Sequence, residues 1–178
     1  MLVKVLTLLF FLTLLSGTAV AERIDDKDIL HEASKLTELD PYLILAMVKI
    51  ESSNHSHKKI LEKNGRYSTG LLQLQKGTAK MMGFVGKSSK LLNWKTNLKY
   101  GIKYIEYQLE RYKNKKKNLE YALAAYNAGT AFICRTGRTK SGKKCRIGKF
   151  VNQDYVDKVT SEYGKLCFNH VRIIFPIN

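Results

Sequence analysis

Apolar residues recur along most of the chain at helical spacing, and six helices can be read from them. Between Asp25 and Leu39 the side chains of Ile29, Leu30, Ala33 and Leu36 share one side, and Asp25, Asp26 and Asp28 open the first turn, where carboxylates oppose the positive end of the helix dipole. A second helix starts at Pro41. Its ring fits the first helical position, and Asp40 before it can accept the first free N–H groups. Thr78 is expected to cap a short helix through Met82, followed by a loop from Gly83 to Ser89. From Trp94 to Tyr112 the residues Leu98, Ile102, Ile105, Leu109 and Tyr112 form the longest amphipathic stripe, expected to be the central core helix. A helix over Leu119 to Tyr126 buries Leu119, Ala122, Leu123 and Tyr126 and ends at Gly129, and Tyr155, Val156, Val159 and Tyr163 mark another between Asn152 and Tyr163. The polar stretch after Ser53 reads as a long irregular connection with room for one helical turn at Ile60 to Glu62. Val171 to Phe175 is β-branched enough for a short strand, and an extended tail suits it equally. The pattern predicts an all-α, helix-dominated fold.

One polar residue is out of place in this pattern. Ile44, Met47, Val48 and Glu51 follow the i, i+3, i+4, i+7 spacing, so the carboxyl of Glu51 shares a stripe with three large apolar side chains. Desolvation disfavours the ionised form, and a Glu so placed can hold a proton near neutral pH and donate it. Spacing alone equally allows Glu51 to end the helix on the solvent side, as most helix-end carboxylates do. Gln73, within Gly70-Leu71-Leu72-Gln73-Leu74, is a second polar group in apolar company and needs a partner if buried.

Composition adds three constraints. Met1 to Lys4, the apolar run Leu6 to Leu15 and the small-residue site Ala19-Val20-Ala21 form a secretory leader, expected to be cut after Ala21. The expected organisation is residues 1–21 as leader and 22–178 as a single domain, exported to the periplasm or secreted, with no transmembrane anchor after cleavage. The chain carries a net charge of +16, with Lys4 its only charge in the leader. An exported protein this basic meets anionic wall polymers and membrane surfaces before nucleic acid, for which no binding motif is present. Much of the charge, the Lys113 to Lys117 run above all, can equally be a solvated face. Cys134 and Cys145 bracket a Gly-, Lys- and Arg-rich loop with almost nothing apolar to bury, which favours a bridge between them, although Cys167 with either remains open. Zinc is not expected: the cysteines lack CxxC spacing and His55-Ser56-His57 has no further ligands nearby.

Four separated pieces then resemble one family. Ile50-Glu51-Ser52, Gly70-Leu71-Leu72-Gln73-Leu74, Ala124-Ala125-Tyr126-Asn127-Ala128-Gly129 and Asp154-Tyr155-Val156-Asp157-Lys158-Val159 are similar, in order and spacing, to the successive motifs of the lytic transglycosylase (SLT) domain, whose fold resembles goose-type lysozyme. Asn97-Leu98 and Gly101 to Tyr104 extend the likeness, which covers Ile29 to Tyr163. Leu72 stands where the family commonly has Met, Lys76-Gly77 where a Pro often follows the Gln, and Thr69 where a basic or aromatic residue is common.

The resemblance implies peptidoglycan glycan strands as substrate. It implies cleavage of the β-1,4 bond between N-acetylmuramic acid and N-acetylglucosamine with formation of a 1,6-anhydromuramyl end, and neither cofactor nor metal. Glu51 would be general acid and then base, with Ser52, Gln73, Tyr126, Asn127 and Tyr155 binding substrate around it. Tyr126 and Tyr155 can equally be core residues. Ordinary glycosidases use two carboxyls. The Gly70 to Gln75 and Ala122 to Gly129 stretches contain none, and Glu62 is the nearest sequence candidate for a second. A goose-type lysozyme using water, or a wall-binding or assembly protein that holds glycan without cutting, are the alternatives. By analogy, a small single catalytic domain suits a cell-envelope secretion, pilus or conjugation machine.

Overall fold

A computed structural model describes residues 22–174; the expected leader, residues 1–21, lies outside the described residues. The fold is helix-dominated, as the periodicity predicts. Helix α1 spans Asp26–Leu36 and α2 spans Pro41–Ser52. The Tyr42 N–H donates to Asp40 Oδ1 at 2.9 Å, which caps α2 as the Asp-Pro pair suggests. Six consecutive residues, Leu43 to Val48, are buried, so α2 is enclosed all round rather than along one stripe. It packs between α1 and the last helix, α6, which spans Gln153–Ile174. The Trp94 helix shares the centre, since it packs on more elements than any other helix. Helix α4, Trp94–Arg111, buries one face only, and packs on α1 and on α5, Asn118–Ala128.

The connection after Ser53 is not irregular. Strands β1 (Lys59–Leu61), β2 (Tyr67–Thr69) and β3 (Leu74–Gln75) form an antiparallel sheet, with Ile60 opposite Ser68 and Ser68 opposite Gln75. The helical turn expected at Ile60 to Glu62 is thus strand and hairpin turn. Glu62 N–H donates to the Arg66 carbonyl at 2.8 Å, and Gly65, at φ 74°, donates to the Glu62 carbonyl at 2.9 Å. Every residue of β1 is exposed, so the hairpin leaves no apolar alternation to read. Helix α3, Lys76–Met81, starts directly after β3, which places Thr78 inside the helix instead of at its cap; a 3-10 turn follows at Ser88–Leu92.

The sheet is tied to the helices through one peptide. Asn97, fully buried on α4, accepts from the Leu72 N–H at 2.8 Å and donates to the carbonyls of Thr69 (2.7 Å) and Leu91 (2.9 Å). Tyr126 of α5 donates its hydroxyl proton to the Leu72 carbonyl at 2.8 Å. Two glycines make room for this grip. A Cβ on Gly70 would lie 2.4 Å from the Asn97 amide, and one on Gly101 would lie 2.3 Å from Leu72 Cδ1.

After α5, which ends at Gly129 with φ 75°, the chain runs through a basic loop closed by a disulfide between Cys134 and Cys145, and Cys167 is free. The short strand or extended tail expected at Val171 to Phe175 is corrected as far as Ile174, which is still helical; Phe175 lies outside the described residues. Two contacts hold the distal part of α6 to the start of α2: Tyr163 donates to Asp40 Oδ2 at 2.6 Å, and the Tyr42 hydroxyl meets His170 Nδ1 at 2.5 Å.

Asn97→Ala should lose on the order of 3 kcal/mol of unfolding free energy, because it strands one N–H and two carbonyls in the interior. Asn93→Ala, which removes only the cap that accepts from the Thr96 N–H at 3.0 Å, should lose about 1 kcal/mol. Urea unfolding of the two variants checks the difference.

Candidate active site

Next to the clamped Leu72, Gln73 and Leu74 line a cleft of about 590 Å³ together with Glu51 from the last turn of α2. Burial raises the Glu51 carboxyl to about 7 from its ordinary value near 4.5; the Tyr155 hydroxyl and the Lys58 ammonium pull it down, and the Glu62 carboxylate pushes it up. The Lys58 ammonium itself donates to the main-chain carbonyl of Glu51 at 2.6 Å, at the helix end. Tyr155 reaches the site from the first turn of α6. Its hydroxyl is buried close enough to Glu51 for the carboxylate to hold its proton more tightly, after burial the second cause. It makes no hydrogen bond of ordinary geometry. The two groups interact electrostatically across the site.

Gln73 has a left-handed backbone, at φ 43°. Its Nε2 donates to the carbonyls of Gly70 (2.7 Å) and Lys58 (3.2 Å), which fixes the amide's orientation and leaves Oε1 as a buried acceptor with no protein donor. Gln73 and Asn127 both line the cleft. Asn127, exposed at the end of α5, accepts from Asn152 Nδ2 at 3.0 Å, so its own Nδ2 donors stay available. Tyr126 lines the same cleft with its ring 5.1 Å from that of Tyr104, and burial keeps both phenols protonated. Chemically the cleft offers the raised carboxyl of Glu51, unused amide groups and neutral phenols, with Glu62 and Lys63 also in its lining. That set suits a neutral polyhydroxylated ligand.

Ser52 is elsewhere. It is buried, and its hydroxyl donates back to the Val48 carbonyl at 3.1 Å. One residue on from Glu51 is about 100° around the helix, and on an enclosed helix that direction leads into the core. The expected substrate contact at Ser52 is therefore corrected to a core position.

Residues 28–147 match the family model described as the transglycosylase SLT domain. The chain belongs to this family. The match ends before Tyr155, so the last of the four sequence pieces lies beyond it. The fold is similar to that of an inactive mutant of the lytic transglycosylase Slt from Pseudomonas aeruginosa, at 25% identity and a TM-score of 0.56, over 80% of this chain and 24% of that one. The 70 kDa soluble lytic transglycosylase of Escherichia coli also matches, at 28% identity and a TM-score of 0.45, over 58% of this chain and 16% of that one. The chain thus spans about a quarter or less of the length of these two enzymes.

Several residues lining the cleft of this SLT domain were missed by motif reading. Ser68, Gln75 and Thr78 are among them; Tyr104, inside the Gly101 to Tyr104 piece but not singled out for the site, and Glu62, the sequence candidate for a second carboxyl, line it too. For Tyr104 a signal existed: Asn97, Gly101, Tyr104 and Gln108 recur at helical spacing, and all four are buried. They form a polar and small-residue stripe beside the apolar one. For Ser68 and Gln75 no local signal exists, because the unseen sheet places them.

Raising a carboxyl from about 4.5 unfolded to about 7 folded makes its ionisation costly in the folded state. That cost is absent below pH 4.5, grows between 4.5 and 7, and is complete above 7. Glu51→Gln should therefore stabilise the domain by up to about 3 kcal/mol at pH 8 and leave it nearly unchanged at pH 4. Thermal unfolding at the two pH values measures this.

Proposed function

We propose that this chain is a peptidoglycan lytic transglycosylase, cleaving between N-acetylmuramic acid and N-acetylglucosamine. The observation that carries the reading is the Glu51 carboxyl, raised to about 7 by burial in a cleft lined by amides and phenols, within a chain of the SLT family. An acid near its midpoint at neutral pH can both give and take a proton. Glu51 first protonates the glycosidic oxygen, and the C1–O bonding electrons leave with that oxygen. The resulting carboxylate then takes the proton from the muramyl C6 hydroxyl, whose oxygen closes on C1. Glu51 ends protonated again, and no water is consumed. The end left behind is a 1,6-anhydromuramyl group.

In this reading Gln73 Oε1 accepts from a sugar hydroxyl, which satisfies an acceptor left open by the fold. Asn127 Nδ2 donates to the sugar chain. Tyr155 steadies the ionised form of Glu51 between the two proton transfers. Tyr126 acts through the Leu72 peptide, placing Gln73 rather than meeting substrate with its hydroxyl. Ser52 has no direct part. The reaction places the protein in the periplasm or outside the cell, on glycan strands, and an envelope-spanning machine that must pass the wall is the partner class that fits it.

One observation favours a second reading. Glu62 shares the cleft with Glu51, and a second carboxyl is what a water-using glycosidase of the goose-lysozyme kind employs. Mass spectrometry of muropeptides released from purified sacculi separates the two. Anhydromuramyl ends are expected from the wild type and from Glu62→Gln, and no release from Glu51→Gln. Reducing ends without anhydro species would give the site to hydrolysis.

The pH profile tests Glu51 further. Since the acid form starts the reaction, kcat/KM should fall as pH rises through about 7. Tyr155→Phe removes a group that lowers this value, so the limb should move to higher pH, whereas Glu62→Gln removes one that raises it and should move the limb lower. Profiles on a soluble glycan substrate read both shifts.

A further inference from the structure

The disulfide-closed loop forms a surface that none of these steps uses. Between Phe132 and Phe150 the sequence holds seven Lys or Arg residues and no Asp or Glu. Among the described residues only Arg146 of these has a carboxylate partner, in Asp154 and Asp157. Beside this charge lies a second groove, of about 680 Å³, lined by residues 131–136, 138–141 and Val151. Phe132 is 56% exposed there.

The backbone of this segment is an open edge. Cys134 N–H donates to the Lys149 carbonyl at 2.8 Å, and Val151 N–H to the Phe132 carbonyl at 2.9 Å, with Ile133 bridged to Phe150. This is the non-hydrogen-bonded pair of an antiparallel ladder, in which the N–H and C=O of the middle residue point away from the partner strand. Among the described residues neither Ile133 nor Arg135 has a backbone hydrogen-bond partner. The Cys134–Cys145 bridge fixes the segment, so little ordering is needed on binding.

We propose that this groove docks an extended acidic peptide segment of another protein, paired along the Ile133–Arg135 edge. The open N–H and C=O of Ile133, continued by those of Arg135 where the chain begins to bend, match a peptide backbone added as a strand, which neither lipid headgroups nor glycan supply in register. The surrounding cations match acidic side chains, and the apolar lining at Phe132 and Val151 takes large apolar ones. The partner therefore alternates Asp or Glu with apolar residues. This role is separate from the glycan cleft and does not depend on its chemistry.

The test is selection of a randomised ten-residue peptide library on the full chain with its disulfide formed. Binding of selected peptides is then read by fluorescence anisotropy. The enriched peptides should alternate acidic and large apolar residues. Arg135→Glu/Lys140→Glu should weaken them about tenfold or more, and N-methylation of alternate peptide amides should weaken them similarly. Release of muropeptides by the double variant should be unchanged. Selection without acidic bias, or binding that survives both changes, would overturn the proposal. So would loss of muropeptide release in the double variant, which would assign the loop to the cleft. Binding to phosphatidylglycerol vesicles, abolished by the double substitution while no peptide is selected, would give the surface to membranes instead.

Discussion

The structure depends on holding one half-buried carboxyl, poorly solvated, at the end of a helix whose middle is enclosed all round. Leu43 to Val48 are all buried, α1 and α6 close on α2, and the segment before α1 is pinned to the residues after it. Asn54 does the pinning. It takes the Ile24 N–H on its carbonyl at 2.9 Å, and its side chain donates to the Ile24 carbonyl and to Asp26. A helix held so firmly keeps Glu51 at the cleft wall, half-buried. The desolvation that raises its pKa is thus a property of the whole helical layer. Local charges only trim it, with Tyr155 and Lys58 acting against Glu62.

Across the cleft the constraint is different in kind. Leu72 is held by its peptide rather than by its side chain alone, with Asn97 on the N–H and Tyr126 on the carbonyl. Gly70 and Gly101 are small because the grip leaves no space for a Cβ. The left-handed backbone at Gln73 follows directly from this fixed peptide, and it leaves the amide with one end satisfied and one end open. A buried acceptor without a partner costs about 1–3 kcal/mol. A ligand donor can relieve that cost, which ties the helical layer's packing to recognition in the cleft.

The start of α2 was legible because Asp40-Pro41 states a cap and a first turn in local chemistry, and α4 because its apolar stripe is long. The sheet was not. Its first strand is wholly exposed and its third has two residues, too short for alternation to register. Ser52 was misplaced because adjacency to Glu51 in sequence says nothing about facing the same way on an enclosed helix. Val171 to Ile174 reads as strand by propensity, yet contacts such as Tyr163 with Asp40 and Tyr42 with His170 carry α6 past Tyr163 along α2. Tertiary contact outweighs a preference of well under 1 kcal/mol per residue. Glu51, Gln73, Tyr126 and Asn127 come together from three segments, and only the ordered motifs indicated that; their spacing alone carried no such information.

The net charge of +16 also sorts differently in space than along the chain. The cleft carries Glu51, Glu62 and Lys63 with amides and phenols, so it is not the basic part of the molecule. The cations gather instead on the disulfide-closed loop and the Lys113 to Lys117 turn, both exposed. A cationic cleft would lower the Glu51 pKa and remove its proton at neutral pH. Keeping the two densest basic clusters away from the cleft lets one domain attract polyanions without disarming its acid. The same separation means that a charge reversal on the loop and a neutral substitution in the cleft act on independent properties of the chain.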